Sequence, residues 1–210
     1  MSLKIYGIAA SRASRPLWVA EELGLAYEHV AVSYAGGATR KPEFLVINPN
    51  GHIPVLDDGG IVVWESMACC LYLAQRFAGA GVAGVAPASH QESADVLRWT
   101  FWAVTECEKD ALTVLMHTRV MPADRRKPVL AEEARRRLRV PLAVLDAHLA
   151  NKNCLAGERF TVGDICVASV LAWVNQEEGL MAEFSHVAGW LERCLARPAQ
   201  QRVRAMAAIV

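Results

Sequence analysis

Residues 48–56 read Asn-Pro-Asn-Gly-His-Ile-Pro-Val-Leu, a tight turn that runs into a proline and then a short apolar strand. Proline has no N–H to give a sheet, so Pro54 belongs at a strand start or edge. An Ile-Pro bond in such a turn is a candidate cis peptide. The backbone N–H and C=O of Ile53 are then expected to lie off the ladder, open to a ligand. Ten residues on, Val-Val-Trp-Glu-Ser-Met-Ala reads as a strand end, an acid, a hydroxyl and a helix start.

The flanking segments extend this into a domain. Residues 3–6 alternate apolar and polar and read as a strand; 15–24 read as a helix closed by Gly24; 27–32 read as a second strand. Residues 35–38 are a loop, and 41–46 a short helical turn. Segments 53–56 and 61–64 are strands joined by Asp57-Asp58-Gly59-Gly60, which makes them antiparallel neighbours. Residues 66–77 form a helix. The order β-α-β then β-β-α predicts a four-stranded mixed sheet of thioredoxin type.

From residue 90 onward strand signals vanish. Helical patterns cover 90–120, 127–150, 162–178 and 185–197. The stretch 78–89 is rich in Ala and Gly and reads as a linker. The expected organisation is a thioredoxin-like α/β domain at 1–79, a linker at 80–89 and an all-α helical domain at 90–210. Within the helical half, Phe160-Thr161-Val162-Gly163-Asp164-Ile165 reads as a capping box, with Asp164 answering Thr161 and a staple of Phe160 on Ile165.

Composition narrows the class. Lys plus Arg and Asp plus Glu both number 22, giving a formal net charge of zero and no reason to expect nucleic acid as partner. No uncharged apolar run approaches the ~20 residues of a membrane helix, and the opening residues do not read as a signal peptide. The six cysteines show neither Cys-x-x-Cys spacing nor flanking His pairs, so buried thiols are expected and a metal site is not. A cytoplasmic protein is the expectation. Two basic runs, 125–127 and 135–139, read as a solvated helix face. Glu132 and Glu133 stand four residues before Arg136 and Arg137.

The Ile53-Pro54 turn, Glu65-Ser66 and the Thr161–Asp164 box, in this order and spacing, resemble the glutathione transferase family, in particular a serine-type bacterial member. The resemblance implies glutathione as co-substrate, no metal, an apolar electrophile as second substrate, and a homodimer packing the sheet domain of one chain against the helical domain of the other. Glutathione is an acidic tripeptide with a free amine and a thiol. Its site must hold the γ-glutamyl end, fix the cysteinyl backbone and stabilise a thiolate, the nucleophilic form. Glu65 and Ser66 suit the first task, at a helix N-terminus that favours a carboxylate. The backbone of Ile53, set by Pro54, suits the second. His52 and either Arg40 or Lys41 are candidates for the glycine carboxylate.

The third task falls on the loop 8–16, Ile-Ala-Ala-Ser-Arg-Ala-Ser-Arg-Pro, which has no Tyr and no Cys. Members that form mixed disulfides carry a Cys there, and isomerase members carry Ser-Ser-Cys, so redox and isomerase activity are disfavoured. Ser11 and Ser14 both qualify by type. With Ser14 as helix cap, Pro16 falls harmlessly at the second helical position, leaving Ser11 to donate to the thiolate. Arg12 adds positive potential. Trp102 and its aromatic neighbours in the first long helix of the second half are candidates for an apolar cleft. The rival reading is a non-catalytic glutathione-binding or regulatory module on the same fold.

Overall fold

The computed structural model describes residues 2–79 and 84–208; residues 80–83 of the expected linker lie outside the described residues. By its contacts the chain forms two units, one from 1–86 with 197–210 and the other from 87–196.

The first unit holds a four-stranded sheet ordered β2-β1-β3-β4, from β1 (Leu3–Tyr6), β2 (Tyr27–Val30), β3 (Val55–Asp58) and β4 (Ile61–Trp64). β1 runs parallel to β2 and antiparallel to β3; β3 runs antiparallel to β4. Helix α1 (Ser14–Leu23) links β1 to β2, which a parallel pair requires. It ends in a Schellman motif: Gly24 sits at φ 61°, its N–H bonds Glu21 O, and the Leu25 N–H bonds Ala20 O. The thioredoxin-like sheet is therefore the one the sequence predicts.

Two details differ. β3 begins at Val55 rather than residue 53, because Pro54 gives the ladder no donor. The hairpin turn is only Gly59-Gly60, with Asp58 paired to Ile61 and the Gly60 N–H bonded to Asp57 Oδ1 at 2.7 Å. Between β2 and β3, 3₁₀ turns at Ala35–Arg40 replace the expected loop and lead into α2 (Pro42–Leu45). Helix α3 (Ser66–Arg76) follows β4. Ile5, Leu17, Val55, Leu56 and Leu73 are fully buried and form the core here.

The second unit is helical: α4 (His90–Trp102), α5 (Lys109–Leu115), α6 (Pro128–Leu149), α7 (Val162–Leu171), α8 (Glu178–Met181) and α9 (Ser185–Leu195). The predicted continuous helix 90–120 is interrupted by π-helical stretches at Ala103–Glu108 and Met116–Val120, the second closed by Met121 N–H on Met116 O at 3.0 Å. The predicted 162–178 helix stops at Leu171, where bonds tighten to i→i+3. Helix α10 (Pro198–Ala207) lies beyond the last predicted helical pattern though inside the expected 90–210 domain, and it packs on α1, where Arg197 pairs with Glu22 at 2.6 Å.

The basic run 135–139 is not simply a solvated face. Arg135 bonds Glu177 at 2.7 Å, Arg137 clasps Asp110 and Arg139 clasps Glu183, each on another part of the helical unit. The expected Glu133–Arg137 pair is stretched to 4.0 Å, because Asp110 offers a bidentate partner that the chain neighbour cannot.

Candidate functional site

Three segments of the first unit are joined, two across Gly7 and the third through an Arg15–Ser66 bond. The first is the loop after β1. Ser11 donates its hydroxyl to Ile8 O at 2.7 Å, and its oxygen accepts the Ala13 N–H at 3.1 Å. This corrects the cap assignment. Ala13, not Ser14, occupies the N-cap position and α1 has no side-chain cap bond. Ser14 is the first helical residue, which moves Pro16 to the third position, still within the first turn. The reason is local: Ser11 folds the turn through its own side chain, so the helix begins without help from Ser14.

The second segment is the turn 48–54. Asn48 bonds the His52 carbonyl at 2.8 Å and accepts the Asn50 N–H at 3.0 Å, so one buried amide organises the turn. The Ile53–Pro54 bond is cis. Ile53 lies beyond the β1–β3 ladder, whose last pair is Tyr6 with Val55. Arg40 lies along this turn and donates to Asn50 O at 3.1 Å. Gly51, at φ 61°, has room for no side chain: a Cβ would stand 2.8 Å from both the Arg40 guanidinium and Thr39 O. Lys41 and His52 are exposed.

The third segment is the start of α3. Glu65 is exposed and adopts φ 72°, the only described non-glycine residue at positive φ. Such a conformation costs on the order of 1–3 kcal/mol and collects at functional sites. Ser66 is buried. Its hydroxyl accepts a bond from Arg15 Nη1 at 2.9 Å.

The sequence reading missed Arg15, a guanidinium only 1% exposed. Its signal was available: a cation set among Pro16, Leu17, Trp18 and Val19, on a helix face that must be buried. Through Ser66 it ties the start of α1 to the start of α3. Gly7 closes the group. A Cβ there would lie 2.8 Å from Ala13 Cβ and 3.0 Å from Ile53 Cβ, so the Ser11 loop and the Ile53 turn touch across it.

Trp102 ends α4 in the second unit, half-buried, with its ring centroid 5.0 Å edge-on from Trp99. Burial pushes the Cys69 and Cys107 thiols up to about 12, which makes them poor nucleophiles at neutral pH. Among the described residues no group of three or more His, Cys, Asp or Glu could hold a metal ion, and no helix is long and apolar enough to cross a membrane.

Residues 1–75 match the family described as glutathione S-transferase, N-terminal domain, and residues 108–198 match its C-terminal domain. Glutathione S-transferase 3 of Zea mays is 34% identical over 209 residues, covering 95% of this chain and 92% of the relative. GstB of Escherichia coli strain K12 is 26% identical, covering 92% and 93%. Among solved structures, glutathione S-transferase III in apo form superposes with a TM-score of 0.86 at 33% identity, over 98% of this chain and 96% of that one. A theta-class enzyme from Xanthomonas axonopodis pv. citri, solved with glutathione bound, gives 0.83 at 30% identity over 96% of each chain. The chain belongs to the glutathione S-transferase family, and it is a transferase enzyme.

Proposed function

We propose that these three segments form the glutathione site, with Ser11 as the group that stabilises the thiolate. The reaction is conjugation: the glutathione sulfur forms a bond to an electrophilic carbon of a small molecule. The observation that carries the site assignment is the convergence of the Ser11 loop, the Ile53 turn and the Ser66 helix start within one unit.

In this reading Glu65 pairs with the γ-glutamyl ammonium, and Ser66 with the first N–H groups of α3 receives its carboxylate. Ile53 pairs with the cysteinyl backbone as an added strand, with Pro54 fixing where that strand begins. Arg40, held along the turn by its bond to Asn50 O, is favoured over Lys41 for the glycine carboxylate, with His52 beside it in sequence as a second candidate. Trp102 contributes to the apolar pocket for the electrophile.

Ser11 acts electrostatically rather than as a base. Its oxygen accepts the Ala13 N–H, which polarises the hydroxyl and strengthens it as a donor. Turning that donor onto a thiolate gives up the bond to Ile8 O, a neutral hydrogen bond worth ~0.5–1.5 kcal/mol. The bond gained is charge-assisted and worth ~1.5–3 kcal/mol. The exchange is favourable, and Ile8 O keeps the Ser11 N–H at 3.1 Å. The start of α1 and the neighbouring Arg12 add positive potential. This makes the chain a serine-type member, acting in detoxification of apolar electrophiles in the cytoplasm.

A homodimer is supported by two exposed apolar rows. Val62 and Trp64 share one face of β4, an edge strand, and are 43% and 42% exposed. Leu97, Phe101 and Val104 stand at i, i+4 and i+7 on α4, 47%, 63% and 40% exposed. Apolar rows of this kind mark interaction surfaces.

The test is conjugation of glutathione to chlorodinitrobenzene, beside retention on immobilised glutathione and release by the free tripeptide. Retention without turnover across a panel of electrophiles would instead indicate a binding module. Light scattering at micromolar concentration checks the dimer.

A further inference from the structure

We infer that His29 is a positioning residue for Ser11, acting through the Gly7–Ile8 peptide; the inference rests on the reading of Ser11 given above. The β1–β2 ladder makes the need for it visible. The Gly7 N–H continues that ladder by bonding Val30 O at 2.9 Å. In a parallel ladder the matching donor for the Gly7 carbonyl is the N–H two residues further along β2, that of Val32. That N–H is turned back onto Val30 O at 2.8 Å. The Gly7 carbonyl thus loses its ladder donor, and the His29 ring supplies one: Nε2 stands 2.8 Å from Gly7 O. A carbonyl only accepts, so Nε2 carries the proton.

The consequence reaches Ser11 through one peptide unit and the hydrogen bonds on Ile8 O. Gly7 C=O and Ile8 N–H are opposite edges of one peptide plane. His29 holds the first edge, and Val32 O holds the second at 3.0 Å. The next carbonyl, Ile8 O, receives both the Ser11 hydroxyl and the Ser11 N–H. The plane that His29 clamps therefore sets where the resting Ser11 hydroxyl points. It also sets the gap across which Ala13 and Ile53 approach, because Gly7 sits between them with no room for a Cβ. Hydrogen-bond catalysis depends on donors placed to within fractions of an ångström, so a plane free to tilt lowers the rate without emptying the site.

The experiment compares His29→Ala, His29→Gln and His29→Asn with the parent. Glutamine places its amide nitrogen where Nε2 stands; asparagine places it where Nδ1 stands. Measured are kcat, KM for glutathione, the thiolate absorbance of bound glutathione against pH, and the melting temperature. His29→Ala is expected to lower kcat roughly three- to tenfold, the worth of one neutral hydrogen bond. The bound thiol pKa should rise about 0.5–1 unit, with KM within about twofold. His29→Gln should return to within about twofold of the parent, and His29→Asn should not. In a Ser11→Ala background, His29→Ala should cost almost nothing more, since the two act as one unit.

A parent-like kcat and thiol pKa in His29→Ala overturn the inference while Ser11 stands. So do multiplying losses in the double variant, or equal behaviour of the Gln and Asn variants. If Ser11→Ala alone leaves the thiol pKa unmoved, the reading of Ser11 falls and this one with it. Should His29→Ala not fold, the Gln and Asn pair decides.

Discussion

Helix α7 and the two helices that start at the candidate site, α1 and α3, begin in different ways. At α7 the start is held by a buried carboxylate. Thr161 and Asp164 form the reciprocal capping box, and the Asp164 carboxylate accepts the Thr161 N–H at 2.9 Å, the Leu155 N–H at 3.0 Å and Trp190 Nε1–H at 3.0 Å. Burial pushes the Asp164 pKa up, and these bonds pull it back, incompletely. At α1 and α3 no side chain caps the helix. Glu65 is held at positive φ with its side chain exposed, and Ser11 has its hydroxyl on the nearest carbonyl. A closed helix start stores stability. At α1 the carbonyls of Ser11 and Arg12 take the Ser14 and Arg15 N–H groups at 3.0 and 3.2 Å, so the open start is that of α3, which leaves N–H groups and a strained residue for a ligand to satisfy.

The sharpest way to break this contrast is to open the closed start. Asp164→Ala removes the acceptor of several buried donors, each costing about 1–3 kcal/mol when stranded. A loss of about 3–5 kcal/mol is expected, read by denaturant unfolding. Turnover per folded molecule should hold, because the damage is to folding. A variant with parental stability would show that α7 owes nothing to its box.

What the sequence made legible follows from the same contrast. The capping box, the Gly24 cap, the Gly59-Gly60 hairpin and the Ile53-Pro54 turn rest on residues within a few positions of each other, where residue type and spacing carry the physics. The Arg15–Ser66 bond spans 51 positions, the Arg137–Asp110 clasp 27, and α10 returns to α1 across most of the chain. No local pattern encodes such pairings. Ser14 shows a subtler limit. Its fitness as a cap was sound, but Ser11 competed for the same turn, and which of two eligible hydroxyls wins is decided by the loop's path and not by residue type.

Ser11→Ala tests the turn that leads into α1. It removes one charge-assisted bond, so turnover should fall roughly ten- to over a hundredfold at neutral pH. Part of the loss should return as pH rises, because base then supplies the thiolate. Ser14→Ala, which removes no cap in this fold, should change stability by less than about 0.5 kcal/mol and keep its turnover. The pH–rate profiles of both variants beside the parent give the answer; a shift with Ser14→Ala alone would reverse the roles.

At α3, Glu65→Gly separates strain from binding. Glycine tolerates φ 72°, so stability should hold or rise by up to about 1 kcal/mol. Losing the carboxylate should still weaken glutathione binding at least about tenfold. Glu65→Ala keeps the strain and should weaken binding equally. Equal stability in the two variants would mean that Glu65 carries no strain that glycine relieves.

The smallest effect is expected at a third kind of helix start. Helix α9 is closed from outside: Asp146, on α6, accepts the His186 N–H at 2.9 Å, the Val187 N–H at 3.0 Å and His186 Nδ1–H at 2.9 Å. Partial burial opposes its ionisation, but these bonds prevail and hold the carboxyl below its ordinary pKa. The sign follows from proton counting. A depressed pKa means that the unfolded chain binds the proton more readily, so the stabilisation is complete above the unfolded value, about pH 4, and fades as pH falls through the folded one. Asp146→Ala should cost about 0.5–2 kcal/mol at pH 7, the worth of a cap. The gap between variant and parent should narrow as pH is lowered below about 4. Melting curves of both proteins across that range test it. A gap that stays constant down to full protonation would show that α9 needs an acceptor there but not a charge, which would place it beside α7 as a start closed by geometry alone.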